Sequence, residues 1–105
     1  MIVRTWRGEA STDEAAKAYA EHVENTAFPK MREIPGHIGA CLFSKITAEG
    51  IVVFVMSYWE NMQAVQQFAG ETTGTAVVEP RAQAVLESFD PYVEHFELVV
   101  KSGSV

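Results

Sequence analysis

Arg4, Trp6, Trp59, His95 and Glu97 are the residues of this sequence whose types could do chemistry together. Arginine offers a permanent cation with a planar fork of donors, which suits an anionic group. An imidazole with an ordinary pKa of about 6.5 exchanges a proton near neutral pH, and a neighbouring carboxylate stabilises the imidazolium that forms. Two indoles supply flat apolar walls. Such a set would hold and deprotonate a planar acidic molecule, with His95 as base, Glu97 beside it, Arg4 as anion clamp, and Trp6 and Trp59 against the ring. A purely architectural reading stands beside this one. In it Arg4 and Glu97 form an ion pair where two sheets meet, the tryptophans are interface mass, and His95 is a strand histidine bonded for structure. His22 is expected on the wet side of the first helix and His37 at a loop edge after Pro35-Gly36, so neither carries the chemistry.

Other chemistries lack their residues. The sequence has no G-x-G-x-x-G, no phosphate-loop lysine motif, no H-E-x-x-H, no C-x-x-C and no G-x-S-x-G, which removes the support for nucleotide, metalloprotease, thiol-redox and α/β-hydrolase readings. Three isolated histidines do not specify a metal site, so no metal and no cofactor are expected. A net charge of -6 and a pI of 4.9 argue against a nucleic-acid partner. The longest apolar run, Ile51 to Met56, falls far short of the roughly 20 residues of a membrane span. Met1 to Gly8 lacks a basic-then-apolar signal pattern, and Cys41 is the single cysteine. These features point to a cytoplasmic protein with no membrane partner and no disulfide. Cys41 reads as a small core residue.

The elements that must position these groups follow from periodicity. With 105 residues there is room for one domain, expected over residues 1–101, with a polar tail at 102–105. Met1 to Arg7 alternates as a strand closed by Gly8. Ser11 and Glu14 resemble a capping box, and Ala16, Tyr19, Ala20, Val23 and Ala27 form the apolar stripe of a first helix that Pro29 should bend or end. His37 to Thr47 and Ile51 to Trp59 read as strands joined through Ala48-Glu49-Gly50. Asn61 caps a second helix ending at Gly70. Pro80 opens another, with Ala82, Val85, Leu86 and Phe89 on its apolar side, and Tyr92 to Lys101 is the last strand.

This order predicts an α+β, ferredoxin-like βαββαβ antiparallel sheet with helices on one face. In the third strand Ile51, Val53 and Val55 point one way and Val52, Phe54 and Met56 the other, so both faces are apolar. Helices cover only one, and a second copy is expected on the other, making a dimeric α/β barrel with an interior between two sheets. We expect Ile51, Val53, Val55, Ser57 and Trp59 to face that interior with Arg4, Trp6, His95 and Glu97. Val3, Phe96, Leu98 and Val100 are expected on the helix side. Adjacent first and last strands would bring Arg4 near His95 or Glu97.

Three stretches in this order resemble the antibiotic biosynthesis monooxygenase family of the dimeric α/β-barrel superfamily. They are Ile34-Pro35-Gly36-His37-Ile38-Gly39, Ser57-Tyr58-Trp59-Glu60-Asn61 leading into Ala64 to Gly70, and Val93-Glu94-His95-Phe96-Glu97-Leu98. The resemblance implies a dimer of facing sheets, with a pocket between each sheet and its helices or at the barrel mouth. It implies functions as diverse as polyphenol oxidation without metal or flavin, quinol oxidation and haem degradation. Trp59 matches a tryptophan of the polyketide-oxidising members, but their asparagine four residues earlier is Val55 here and their tyrosine six residues later is Val65. The haem-degrading members place an axial histidine before the last strand, whereas Asn61 to Phe89 contains none. The expected function is a cofactor-independent monooxygenase or related oxidoreductase on a small aromatic or quinol-type molecule, with His95 replacing the missing base. The alternatives are a non-oxidative isomerase or lyase using the same groups, and a non-catalytic small-molecule-binding or stress-associated dimer.

Overall fold

Strand β1 (Ile2–Ala10) runs through the middle of an antiparallel sheet, its backbone paired along both edges. In the computed structural model, which describes residues 1–104, β3 (Gly50–Trp59) pairs with one edge of β1, and β2 (His37–Thr47) lies outside β3. The other edge of β1 takes β4 (Ser88–Phe89) and β5 (Glu94–Glu97). The α+β, ferredoxin-like arrangement expected from sequence is present, with the helices on one face. Val105, the last residue of the expected tail, lies outside the described residues.

Local chemistry sets the element ends. Thr12, not Ser11, caps α1 (Asp13–His22): its hydroxyl accepts from the Ala15 N–H at 3.1 Å. Asn61 accepts from the Ala64 N–H at 3.0 Å to cap α3 (Met62–Ala69), and Gly70, at φ +79°, ends it. The β2–β3 hairpin turns at Gly50, whose φ of +147° and contact with the Ala10 carbonyl leave no room for a side chain.

Two elements depart from the periodic reading. Pro29 does not stop the first helix. The chain passes through a π-helical turn, Val23–Ala27, into α2 (Phe28–Arg32), where Pro29 occupies the first turn and needs no donor. The fourth helix, α4 (Pro80–Val85), is shorter than expected, because Leu86 turns extended and Ser88–Phe89 pair with Gly8–Glu9. The last strand, expected over Tyr92 to Lys101, is confined to β5, and β4 comes from the stretch expected to end the helix. Between Phe89 and Glu94 the chain advances five residues while β1 advances three, from Gly8 back to Thr5, and the surplus bulges outward.

Register decides the faces. Ile2 opposes Trp59, Arg4 opposes Ser57, Trp6 opposes Val55 and Ala10 opposes Ile51, so the even residues of β1 share a face with the odd residues of β3. Arg4 and Ile2 oppose His95 and Glu97 on the other edge. As expected, all these residues lie together, but their face is the helix-covered one, which corrects the sequence reading. Ala10, Tyr19, Val23, Ile51, Val53, Ala82 and Leu86 form one buried cluster, and Met31, Trp59, Ala64 and Val65 a second. The two sides of β3 are about equally apolar, so the pattern held no sign of which the helices would take. The uncovered face carries Val3, Phe43, Val52, Phe54, Met56 and Phe96. Cys41 is exposed there instead of buried, Phe96 is about half exposed, and Val100 lies open, beyond the end of β5.

Candidate active site

Arg4 is buried beneath the helices at the point where the sheet bulges. The bulge positions its partners. Val93 N–H donates to the Gly74 carbonyl and Ala76 N–H to the Pro91 carbonyl, both at 2.9 Å, tying the α3–α4 connection to the segment before β5. This brings two carbonyls onto the guanidinium: Nη1 donates to Thr73 O at 2.6 Å and Nη2 to Thr75 O at 3.2 Å. Nη1 also lies 3.0 Å from His95 Nε2, and the Arg4 Cζ sits 5.8 Å from the Phe68 ring centroid. Among the described residues Arg4 makes no ion pair. Burial lowers its pKa to about 10, which leaves it a cation at neutral pH.

The guanidinium borders a cavity of about 60 Å³ between sheet and helices, with Trp6, Tyr19, His22, Ser57 and Phe68 among its walls. That space takes about two waters at about 30 Å³ each and is smaller than the roughly 300–1,000 Å³ of a typical ligand pocket. The indole N–H of Trp6 donates to the Asp90 carbonyl at 2.7 Å, again using the bulge, and its ring packs against Tyr19 and Phe89. Ser57 Oγ accepts from Trp59 Nε1 at 2.9 Å, so its own proton is left to donate.

The five expected site residues divide. Arg4 and Trp6 line the cavity. His95 stands against Arg4 rather than in the wall. Its Nε2 is the acceptor of an arginine N–H, so the ring is neutral with its proton on Nδ1, and desolvation, then the Arg4 charge, lower its pKa. Trp59 is fully buried in the second cluster, edge-on to His37 and tilted over Phe68. Glu97 meets neither Arg4 nor His95. Its carboxylate is largely exposed and lies 3.7 Å from the Met1 amine, so the expected Arg4–Glu97 pairing is absent.

His22 is the residue that periodicity misplaced. It is buried, not on the wet side: its side chain is 5% exposed, Nε2 lies 3.9 Å from Glu79 Oε1, and Nδ1 has no partner among the described residues. Leaving such a nitrogen unpaired costs about 1–3 kcal/mol. The signal was its place three residues after Tyr19, on the buried line, immediately before the π-helical turn, a feature common at functional sites. Glu79 is held in turn by Lys30, whose Nζ donates at 2.9 Å. Alternation put Ser57 on the face of Arg4 without a role, and the register sets the two residues opposite each other.

Among the described residues there is no group of acidic, histidine and cysteine side chains able to hold a metal ion, and no helix is long and apolar enough to cross a membrane.

Neither a family model nor a curated protein sequence matches the chain. Solved structures match its fold. An antibiotic biosynthesis monooxygenase aligns over 95% of this chain and 100% of its own at TM-score 0.64 and 20% identity. The heme-degrader MhuD of Mycobacterium tuberculosis, with two hemes in its active site, aligns over 98% and 100% at TM-score 0.65 and 18% identity. The ActVA-Orf6 monooxygenase of Streptomyces coelicolor, in complex with nanaomycin D, aligns over 99% and 90% at TM-score 0.57 and 15% identity. The fold is that of the antibiotic biosynthesis monooxygenases, as the resemblance in sequence implied.

Proposed function

We propose that this chain is a monooxygenase-type enzyme that binds a small aromatic molecule with an acidic hydroxyl, of the naphthol or quinol kind, and works as a cytoplasmic homodimer without a cofactor. The observation that carries this reading is Arg4, a buried cation with no carboxylate partner among the described residues, bordering a cavity walled by aromatic rings. A buried charge is tolerated when polar groups satisfy it, and the side left open favours an anionic ligand. Trp6 and Phe68 give that ligand flat surfaces.

In this chemistry a substrate anion supplies the electrons for dioxygen. A phenolic ring with a C–H para to its hydroxyl and O2 give the quinone and H2O: the ring C–H and the O–H are lost, one oxygen atom is incorporated, the other leaves as water, and no external reductant enters. The protein has only to bind, accept a proton and exclude water. We assign Arg4 to the anion and Ser57 to a hydrogen bond from its free proton. His95 is assigned to holding Arg4 in place, because its Nε2 lone pair is already taken. Trp59 braces Ser57 from behind. The cavity has to widen for a ring.

Heme does not fit these residues. His95 has no free Nε2 for iron, because that nitrogen already accepts from Arg4. One observation favours the binding-only alternative. Val55 lines the cavity and Val65 is fully buried, so the positions where the polyketide-oxidising enzymes carry polar groups are apolar. Screening quinols, naphthols and flavonoids for binding and then for oxygen uptake separates the two readings. Oxygen uptake that is lost in Arg4→Met supports the enzyme, binding with no uptake supports the alternative, and no binding refutes both.

A further inference from the structure

We propose that His22 is the proton acceptor of this cavity, taking the proton of the ligand's hydroxyl on Nδ1 while Glu79 positions its imidazole. The inference deepens the proposed function and rests on its reading of the cavity as a site for an acidic aromatic molecule.

Three independent features converge on His22. It lines the cavity together with Arg4, so a ligand whose anionic end lies on the guanidinium has the imidazole within the same small space. Its Nδ1 is buried with no partner among the described residues, an unspent acceptor on a residue of the cavity wall. Its Nε2 faces the Glu79 carboxylate at 3.9 Å, longer than a hydrogen bond yet close enough to favour a proton on that nitrogen. The Nδ1 lone pair is then the free one, and it is the basic site.

The proton inventory closes without any further reagent. The ligand O–H bond breaks with its electron pair left on oxygen, the proton forms an N–H bond at Nδ1, and Nε2 keeps its own proton. The imidazolium that results lies against Glu79, which Lys30 fixes at 2.9 Å through the other carboxylate oxygen. Glu79 touches no ligand atom in this scheme and is a positioning residue. The titratable and charged groups around His22 are Tyr19 on its own helix, Lys30 from α2, Glu79 from the segment before α4, and Arg4 from β1. His95 is separated from the cavity by Arg4, which leaves His22 the histidine that reaches it.

The probe is 4-hydroxy-3-nitrobenzoate, a single-ring acid with a carboxylate for Arg4 and a phenol whose ionised form absorbs at a different wavelength. Bound to the intact protein, the phenol is expected to ionise at least about tenfold more readily than in water, because Arg4 faces its carboxylate and His22 takes up its proton. His22→Asn should retain binding and lose that gain, Glu79→Gln should retain part of it, and Arg4→Met should lose binding. In 15N-labelled protein the His22 Nδ1 should change from unprotonated to protonated when the probe is added, a readout that does not depend on any variant folding. A gain in ionisation that survives in His22→Asn, or an Nδ1 signal unmoved by bound probe, overturns this assignment and leaves the ligand reading standing. Failure of the intact protein to bind the probe or any screened phenol overturns the ligand reading, and the assignment with it.

Discussion

Nη1 of Arg4 meets Nε2 of His95 at 3.0 Å, across a register in which the two residues stand directly opposite on β1 and β5. The contact ties a permanent cation to a neutral imidazole and sets what each can do. The arginine keeps its charge for the cavity, and the histidine gives up the lone pair that a base would need.

Arg4→Lys should therefore weaken binding of an acidic aromatic by at least about tenfold, since a point charge cannot reproduce bonds to Thr73, Thr75 and His95 at once. His95→Ala should raise KM several-fold with kcat changed far less. A loss confined to kcat in His95→Ala would return the role of base to His95.

Trp59→Phe should lower stability by about 1–3 kcal/mol and leave ligand affinity within about twofold, because the indole is fully buried and its N–H is spent on Ser57. Urea denaturation and a ligand titration on the same preparation read both quantities. A tenfold affinity loss without destabilisation would make Trp59 a wall of the cavity after all.

Dimerisation is expected from the uncovered face, where Val3, Val52, Phe54 and Met56 share one side of the two central strands. Light scattering at low micromolar concentration should report about twice 11.6 kDa. Phe54→Glu should give a folded monomer. Val53→Glu should instead unfold the chain, because Val53 is a core residue. A wild-type monomer would refute the interface.

Stability should fall as pH drops below about 6.5. His37 is held below the ordinary pKa by desolvation and then by Arg32, and His95 by desolvation and then by Arg4. The unfolded chain takes up protons at both sites first, so their contribution is complete above the ordinary value and is lost as pH falls toward the lowered ones. Thermal midpoints measured from pH 8 to pH 5 should decline, and the decline should flatten in a His37→Gln, His95→Gln double variant. An equally steep decline in that variant would assign the effect to other groups.

Heme added to the purified protein should give no sharp Soret band of axial histidine ligation. Such a band would be traced first to His22, whose Nδ1 is unpaired.

How much of this was legible in sequence differs from level to level. Alternation put Arg4, Trp6, Ser57, His95 and Glu97 on one face, and register bears that out, because the two-residue period of a strand is a local property. The caps at Asn61 and Gly70 were local in the same way. Which face the helices would cover was not written in β3, since both of its sides are apolar and the choice depends on how the connections pack across the sheet. Glu97 looked like a partner for Arg4 because it shares that face, yet the side chain swings to the Met1 amine. His22 hid for a related reason. Its burial depends on how far α1 is rotated on the sheet and on the π-helical turn after it, and Glu79 reaches it from a segment 57 positions away in the chain. Periodicity fixes which residues travel together, whereas burial and partnership are settled only when distant segments close over them.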